Sequence, residues 1–210
     1  MQLIGMLDSP FVRRVAISLT LLELPYEHCS WSVGADFARI REVSALGRVP
    51  VLVLEQGEVL TDSAAILDYL DDSVGEARAL LPRAGLARRT ALRVIAHALG
   101  AADKGREQVY EQAMRPAERR HAPWVERVTL QMHGALAVVE AQAAARAGRP
   151  LVGEARTQAD ITAVCAFTFL CDTVLADSAA RYPALCALAA RWEADVAFRA
   201  TRTPFLMPQR

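Results

Sequence analysis

The sequence has no net charge, no long hydrophobic run and few cysteines, and each of these shortages excludes a class of protein. Lysine and arginine together number 24, as do aspartate and glutamate. Because nucleic-acid-binding proteins carry clustered basic excess, we expect no nucleic acid partner. The longest apolar tract, 161–171, has 11 residues, whereas a membrane-spanning helix needs about 20. We therefore expect no membrane span.

The cysteines are too few and too scattered for a disulfide framework or a zinc site. No CxxC pair and no cysteine–histidine spacing of the metal-binding kind is present among Cys29, Cys165, Cys171 and Cys186. We interpret them as buried, reduced thiols. The short apolar start of the chain has no basic flank and ends at Asp8, unlike a secretory signal peptide. These observations predict a cytoplasmic protein without a bound metal.

The composition is that of a soluble globular protein, and charge divides it unevenly. Of the 210 residues, 53% are hydrophobic and 23% charged, so the chain can bury a sizeable core in one or two domains. Residues 1–75 carry five basic and 11 acidic side chains, and residues 76–210 carry 19 and 13. This asymmetry supports two compositional units.

The first 75 residues alternate between strand and helix signals. Strands are predicted for 3–6, 26–31 and 51–54, with a return strand starting at 59 after the 56–58 turn. Helices are predicted from Ser9-Pro10, over 36–43, and after the cap-type residues 61–63. Two strands joined through a helix imply a parallel pair, and the hairpin adds antiparallel strands. We expect a mixed sheet flanked by helices.

After a plausible linker at 73–82, every signal is helical. One long helix is predicted with Leu92, Ile95, Leu99 and Ala102 along one face and Gly105 as a weak point. A second stripe comprises Val125, Val128, Met132, Leu136 and Val139. A capping box at 157–160 precedes the apolar 161–171 helix, Pro183 starts another helix, and 198–208 is predicted as a tail.

The stretch at 48–70 resembles the glutathione site of cytosolic glutathione transferases. In that family an Xaa-Val-Pro-Xaa-Leu hairpin leads into a Glu/Asp-Ser-Xaa-Ala-Ile-Xaa-Xaa-Tyr-Leu helix, and here the matches are RVPVL (48–52) and DSAAILDYL (62–70). The family's proline is cis and turns the preceding backbone toward the cysteinyl part of glutathione, which implies these roles for Pro50 and Val49. The alternative is an ordinary hairpin with a strand-edge proline.

The resemblance covers nearly the whole chain and implies its architecture. It implies a thioredoxin-like domain with a mixed four-stranded sheet (residues 1–74), a linker (75–85) and an all-helical C-terminal domain (86–210). It further implies a homodimer that needs no cofactor besides glutathione as co-substrate. The chain departs from the family at Ser44-Ala45, where Asn-Pro is usual, and at Arg156, where an apolar residue precedes the cap. The second departure predicts only a weak hydrophobic staple to Ile161.

Ser9 is the candidate catalytic residue. A thiol titrates near 8.5, so lowering its pKa by about two units requires roughly 2.7 kcal/mol of preference for the thiolate. A hydroxyl hydrogen bond at a helix N-terminus can supply that. The motif Ser9-Pro10-Phe11-Val12 resembles the serine-type classes, which implies that Ser9 activates glutathione and that Phe11 also contacts it. The alternative is that Ser9 only caps the helix.

The other classes of the family carry different residues at this point. The cysteine-type classes use a cysteine where this chain has Ser9, and the zeta-like Ser-Ser-Cys signature is also missing. Cys29 lies after the next helix, and we interpret it as structural.

The charged groups of glutathione suggest further site residues. The resemblance implies that Asp62 pairs with the γ-glutamyl ammonium and that Ser63, at a helix N-terminus, holds the carboxylate. Arg48 is our candidate for the glycyl carboxylate. The alternatives are simple capping for Asp62 and Ser63, and a solvated charge for Arg48.

The predicted activity is conjugation of glutathione to a small hydrophobic electrophile. Two alternatives remain open: a glutathione-dependent peroxidase or disulfide reductase, and a non-catalytic ligand- or partner-binding protein of the same fold. The candidates for the second-substrate pocket, each equally compatible with packing or a surface position, are Trp31, His97, Lys104 and Tyr110.

Overall fold

Four strands and nine α-helices make up the part of the chain described by the computed structural model, residues 1–207 apart from the side chain of Ala179. The N-terminal elements are β1 (Gln2–Ile4), α1 (Pro10–Leu21), β2 (Glu27–Cys29), α2 (Phe37–Val43), β3 (Val51–Val53), β4 (Val59–Thr61) and α3 (Ser63–Val74). The helical elements that follow are α4 (Gly85–Met114), α5 (Ala122–Arg146), α6 (Gln158–Thr173), α7 (Ser178–Arg181), α8 (Pro183–Glu193) and α9 (Val196–Ala200).

The strands form the predicted mixed sheet, and their order in it is β2-β1-β3-β4. Strand β1 runs parallel to β2, with Leu3 opposite His28, and antiparallel to β3, with Leu3 opposite Leu52. Strands β3 and β4 form the predicted hairpin, in which Leu52 lies opposite Leu60. Each strand has three residues, so the predicted strands are in the right places but too long. This is the thioredoxin-like arrangement.

The buried face of the long helix α4 is rich in alanine. Its fully buried side chains include Ala91, Ala98, Ala101 and Ala102, whereas Leu92 is 43% exposed. Of the residues predicted along one face, Ile95 and Ala102 are buried, whereas Leu92 lies at its exposed edge. The apolar pattern did not identify the whole of this face, because alanine contributes little to a hydrophobic pattern. Its small side chain instead allows helices to approach closely.

Gly105 lies at this close approach and is not a weak point of the helix, which corrects the sequence prediction. A Cβ atom added to Gly105 would lie 2.1 Å from Cδ2 of Leu170, a fully buried residue of α6. The glycine therefore allows α4 to pack against α6.

We expect Gly105→Ala to lower the free energy of unfolding by about 1–2 kcal/mol. Overpacking costs about 1–3 kcal/mol and outweighs the gain of up to about 1 kcal/mol in helix propensity. The matched control is Gly134→Ala in α5, where nothing lies within 4 Å of an added Cβ and the same propensity gain should stabilise. Urea unfolding of both variants measures the difference, and stabilisation by both substitutions would contradict the packing role.

Helix α6 is buried almost all round and begins with the predicted capping box. The Thr157 side chain accepts from the backbone N–H of Ala159 at 3.2 Å, while the Asp160 carboxylate accepts from the backbone N–H of Thr157 at 2.9 Å. The Arg156 guanidinium pairs with the Asp195 carboxylate at 2.7 Å and lies 4.9 Å from the Trp192 ring centroid. Arg156 thus takes part in packing of the C-terminal segment.

Two predictions about the C-terminal half were wrong. Phe198 belongs to α9 and is fully buried, so it is not part of an extended tail. It stacks on Trp192 with ring centroids 6.4 Å apart, a contact that no local pattern reveals. The four cysteines form no disulfide, but the prediction that all of them are buried was wrong. Only Cys165 is buried, which raises the pKa of its thiol to about 12, whereas Cys171 is exposed.

None of the helices within residues 1–207 combines the length and the apolar character needed to cross a membrane. The first helical segment after α3 begins at Gly85, so 75–84 has no regular element.

Candidate active site

A cleft of about 1360 Å³ lies where the loops at one end of the sheet face helix α4. One wall comes from the β1–α1 loop and the start of α1, and from the segments 31–37 and 47–49. The opposite wall comes from one end of α4 (Arg106, Glu107, Val109, Tyr110, Glu111 and Met114), with Arg115 and Trp124. Phe169 and residues 205–207 complete it. The cleft is larger than a ligand of several hundred Å³, so it can hold one such ligand and a second molecule beside it.

Ser9 lines this cleft at the start of α1. Its backbone is extended and its C=O accepts from the N–H of Arg13 at 2.9 Å, which makes it the N-cap residue. Its hydroxyl, however, makes no capping hydrogen bond. The alternative that Ser9 serves only as a side-chain cap is therefore not supported. The hydroxyl is available at a helix N-terminus, where partial positive charge favours an anion.

The loop before Ser9 is shaped by Gly5, which approaches two neighbouring elements. Gly5 has φ +131°, and an added Cβ would lie 2.6 Å from Cγ2 of Val12 and 2.8 Å from Cβ of Val49. The backbone of β1, the start of α1 and the Val49 loop therefore meet at one point. The Val49–Pro50 peptide bond is cis, in line with the resemblance. Val49 lines the cleft, and Pro50 is buried beside it.

Asp8, which the sequence analysis did not single out, ties this loop to the end of the chain. Its Oδ2 accepts from the backbone N–H of Leu206 at 3.1 Å. Burial raises the pKa of the Asp8 carboxyl, and backbone hydrogen bonds from Leu206 and Ser9 partly oppose that rise. Phe205 packs edge-on against Phe169 with ring centroids 5.7 Å apart. The chain end thereby forms part of the cleft wall.

The predicted glutathione-binding residues do not all reach the cleft. Phe11, Arg48 and Val49 line it, and the exposed Arg48 has no hydrogen bond or ion pair within residues 1–207. Asp62 and Ser63 lie at the start of α3 and are not among the described residues that line the cleft.

Asp62 has an unusual backbone for a residue with a side chain. Its φ is +74°, a conformation that costs energy and is concentrated at functional sites. Its Oδ1 accepts from the backbone N–H of Ala64 at 2.8 Å, so it does cap α3, and its other carboxylate oxygen is left to a ligand or solvent. Capping and ligand binding are therefore compatible here.

A buried positive charge interacts with Asp62 at the N-terminus of α3. Arg14 on α1 is 2% exposed, and neither its Nε nor its Nη1 has a hydrogen-bond partner within the described residues. Burial lowers its pKa to about 10, and the negative charge of Asp62 partly opposes that fall. Arg14 thus remains charged at neutral pH and favours anionic groups near Asp62.

Helix α4 contributes the residues that sequence reasoning largely missed. Trp31 and Tyr110, two of the four candidates, line the cleft. His97 and Lys104 do not: His97 hydrogen-bonds the Arg93 carbonyl at 2.7 Å, and Lys104 pairs with Glu107 at 2.6 Å. The four-residue spacing of Arg106, Tyr110 and Met114 places them on one face of the helix, and this was the available signal.

Residues 3–78 match the family model described as glutathione S-transferase, N-terminal domain. The "Uncharacterized GST-like protein YibF" of Escherichia coli is 35% identical over 148 residues, which cover 67% of this chain and 68% of that protein.

Solved structures match over nearly the full length. A glutathione S-transferase from Methylobacterium radiotolerans, in complex with glutathione sulfonate, has a TM-score of 0.87 and 27% identity, covering 100% of this chain and 95% of that one. A glutathione transferase family member from Pseudomonas fluorescens, with bound S-(propanoic acid)-glutathione, has a TM-score of 0.81 and 30% identity, covering 97% and 99%. Members of the family use glutathione as co-substrate. By its N-terminal family match, its E. coli relative and its fold, the chain belongs to the glutathione S-transferase superfamily.

Proposed function

We propose that this protein conjugates the thiolate of glutathione to small hydrophobic electrophiles and that Ser9 stabilises the thiolate. The observation that carries the proposal is the Ser9 hydroxyl, which lines the cleft at the N-terminus of α1 and makes no capping bond. A hydroxyl in this position can donate to a thiolate while the helix dipole adds to the stabilisation.

Glutathione in this proposal extends from Ser9 along the loop that contains the cis proline. Phe11 packs against it, Val49 offers backbone hydrogen bonds, and Pro50 fixes the loop. The unpaired guanidinium of Arg48 binds the glycyl carboxylate. Asp62 and Ser63 bind the γ-glutamyl group, with the buried Arg14 adding positive potential.

The relatives support this assignment of ligand. The M. radiotolerans and P. fluorescens structures, at 27% and 30% identity, hold glutathione derivatives. We further propose that the protein is a cytoplasmic homodimer. Large exposed apolar side chains on β4, α3 and α4 are available for such an interface, namely Val59, Tyr69, Leu86 and Leu92.

We expect calorimetry to detect glutathione binding, and Arg48→Met to weaken it about tenfold. A charge-assisted hydrogen bond contributes about 1.5–3 kcal/mol, and the exposure of Arg48 argues for the lower value. The matched control is Arg89→Met on α4, an arginine outside the cleft. Equal affinities of the two variants would remove Arg48 from the site.

Turnover separates the candidate functions. Conjugation of 1-chloro-2,4-dinitrobenzene, followed by absorbance, is the expected activity. Reduction of an organic hydroperoxide or a glutathione mixed disulfide without conjugation would favour the peroxidase or reductase alternative. Glutathione binding with neither activity would favour a binding protein, and the absence of binding would leave only the fold.

A further inference from the structure

On the wall of the cleft formed by helix α4, two side chains have hydrogen-bond donors without partners among the described residues. The carboxylates on the same wall are already paired with cations. The Glu107 carboxylate pairs with the Lys104 ammonium at 2.6 Å. The Glu111 carboxylate accepts from Arg115 Nε at 2.6 Å and from the backbone N–H of His121 at 3.0 Å. Each of these carboxylates therefore has its negative charge offset by a neighbouring cation.

Arg106 and Tyr110 are the side chains on this wall whose hydrogen-bond donors are not all used. Arg106 makes one contact with a carboxylate, at 3.1 Å from Asp103, and that side chain is 42% exposed outside the cleft. A guanidinium has five N–H donors, so most of them remain free. The Tyr110 hydroxyl makes no hydrogen bond with any residue in 1–207. The two residues are four apart on α4 and therefore neighbours on its surface.

These donors lie beside aromatic surface. The Arg106 guanidinium is 5.8 Å from the Phe11 ring centroid, two residues after Ser9. Trp124, Phe169 and Phe205 also line the cleft. A planar fork of N–H donors next to aromatic rings suits a carboxylate attached to an aromatic ring.

We propose that Arg106, assisted by Tyr110, binds the carboxylate of the second substrate, and that this protein acts on aromatic electrophiles that carry a carboxylate. The inference rests on the proposed function. In the step it implies, the glutathione thiolate, whose proton has passed to solvent, attacks the ring carbon that bears a halide. A carbon–sulfur bond forms, and the halide leaves with the electron pair of the broken bond. The carboxylate stays unchanged and serves as the binding group.

The test compares 4-chloro-3-nitrobenzoate with 4-chloro-3-nitrobenzamide, which have the same ring and leaving group. Each kcat/KM is divided by the rate constant of the uncatalysed reaction with glutathione, because the two rings differ in reactivity. We expect the corrected ratio of benzoate to benzamide to fall about tenfold in Arg106→Met and to be partly retained in Arg106→Lys. The control Arg93→Met, an arginine of α4 that binds Gln142 outside the cleft, should leave the ratio unchanged.

Arg106→Met is expected to fold, because the substitution leaves only the solvated Asp103 without its partner. An unchanged ratio in Arg106→Met would overturn the inference. It would also be overturned if the variant lost affinity for glutathione itself by the same factor, since Arg106 would then belong to the tripeptide site.

A second measurement does not depend on turnover. The products S-(4-carboxy-2-nitrophenyl)glutathione and its carboxamide analogue are titrated into the native protein and Arg106→Met by calorimetry. Tighter binding of the carboxylate, by about tenfold and only in the native protein, supports the inference even if the conjugation activity fails. Equal affinity for the two products would contradict it even if conjugation is observed.

Discussion

Replacing Ser9 by alanine is expected to slow glutathione conjugation by about 10- to 50-fold at pH 6.5. If the site lowers the thiol pKa from about 8.5 to about 6.5, the thiolate fraction at that pH falls from about one half to about one hundredth in the variant. The more basic thiolate is more nucleophilic, which offsets part of the loss. The defect should shrink as pH rises toward 9, because glutathione then ionises without help. The pH–rate profile of both proteins measures this.

The pH dependence separates activation from a structural role. Ser9→Thr keeps the hydroxyl and should retain a low apparent pKa, and all three proteins should bind glutathione with similar affinity near pH 9. A defect in Ser9→Ala that is the same at every pH would mean that Ser9 positions the chain and does not stabilise the thiolate.

The largest effect on stability is expected from Asp160→Ala, at about 3–4 kcal/mol. Asp160 is fully buried. Its carboxylate accepts from the backbone N–H of Leu151 at 2.8 Å, and from the backbone N–H and the hydroxyl of Thr157 at 2.9 and 3.1 Å. Removing it leaves buried donors unsatisfied, at about 1–3 kcal/mol each, and removes the Asp160 half of the capping box of α6. Denaturant unfolding measures the change in free energy.

Asp160→Asn distinguishes hydrogen bonding from packing. The amide has nearly the same volume, but in either orientation its N–H₂ group faces a backbone N–H donor, that of Leu151 or that of Thr157, so we expect a large part of the alanine loss. Asp68→Ala, on the exposed face of α3, is the control and should change stability by less than about 0.5 kcal/mol. Near-native stability of the asparagine variant would mean that shape, not hydrogen bonding, makes Asp160 important.

The parts of the molecule that sequence predicted well depend on local signals. Proline at the first helical position of α1, the hairpin turn, and Asp62 before α3 each specify a conformation within a few residues, and the mixed sheet follows from their order. The capping box of α6 is equally local. The division into domains at 75–85 stays a prediction.

The parts that sequence did not predict depend on contacts distant along the chain. Gly105 has meaning only because Leu170 packs against it, and Phe198 is buried only because Trp192 covers it. The spacing of Arg106, Tyr110 and Met114 places them on one face of α4, but only the fold shows that this face lines the cleft. The chain end joins the cleft through a hydrogen bond to Asp8, 198 residues away.

The most direct test is the pKa of the glutathione thiol in the complex, followed as thiolate absorbance against pH. The native protein should lower the bound thiol pKa by about two units from 8.5, and the shift should be largely lost in Ser9→Ala. A bound thiol that titrates like free glutathione, or an equal shift in both proteins, would contradict the role proposed for Ser9.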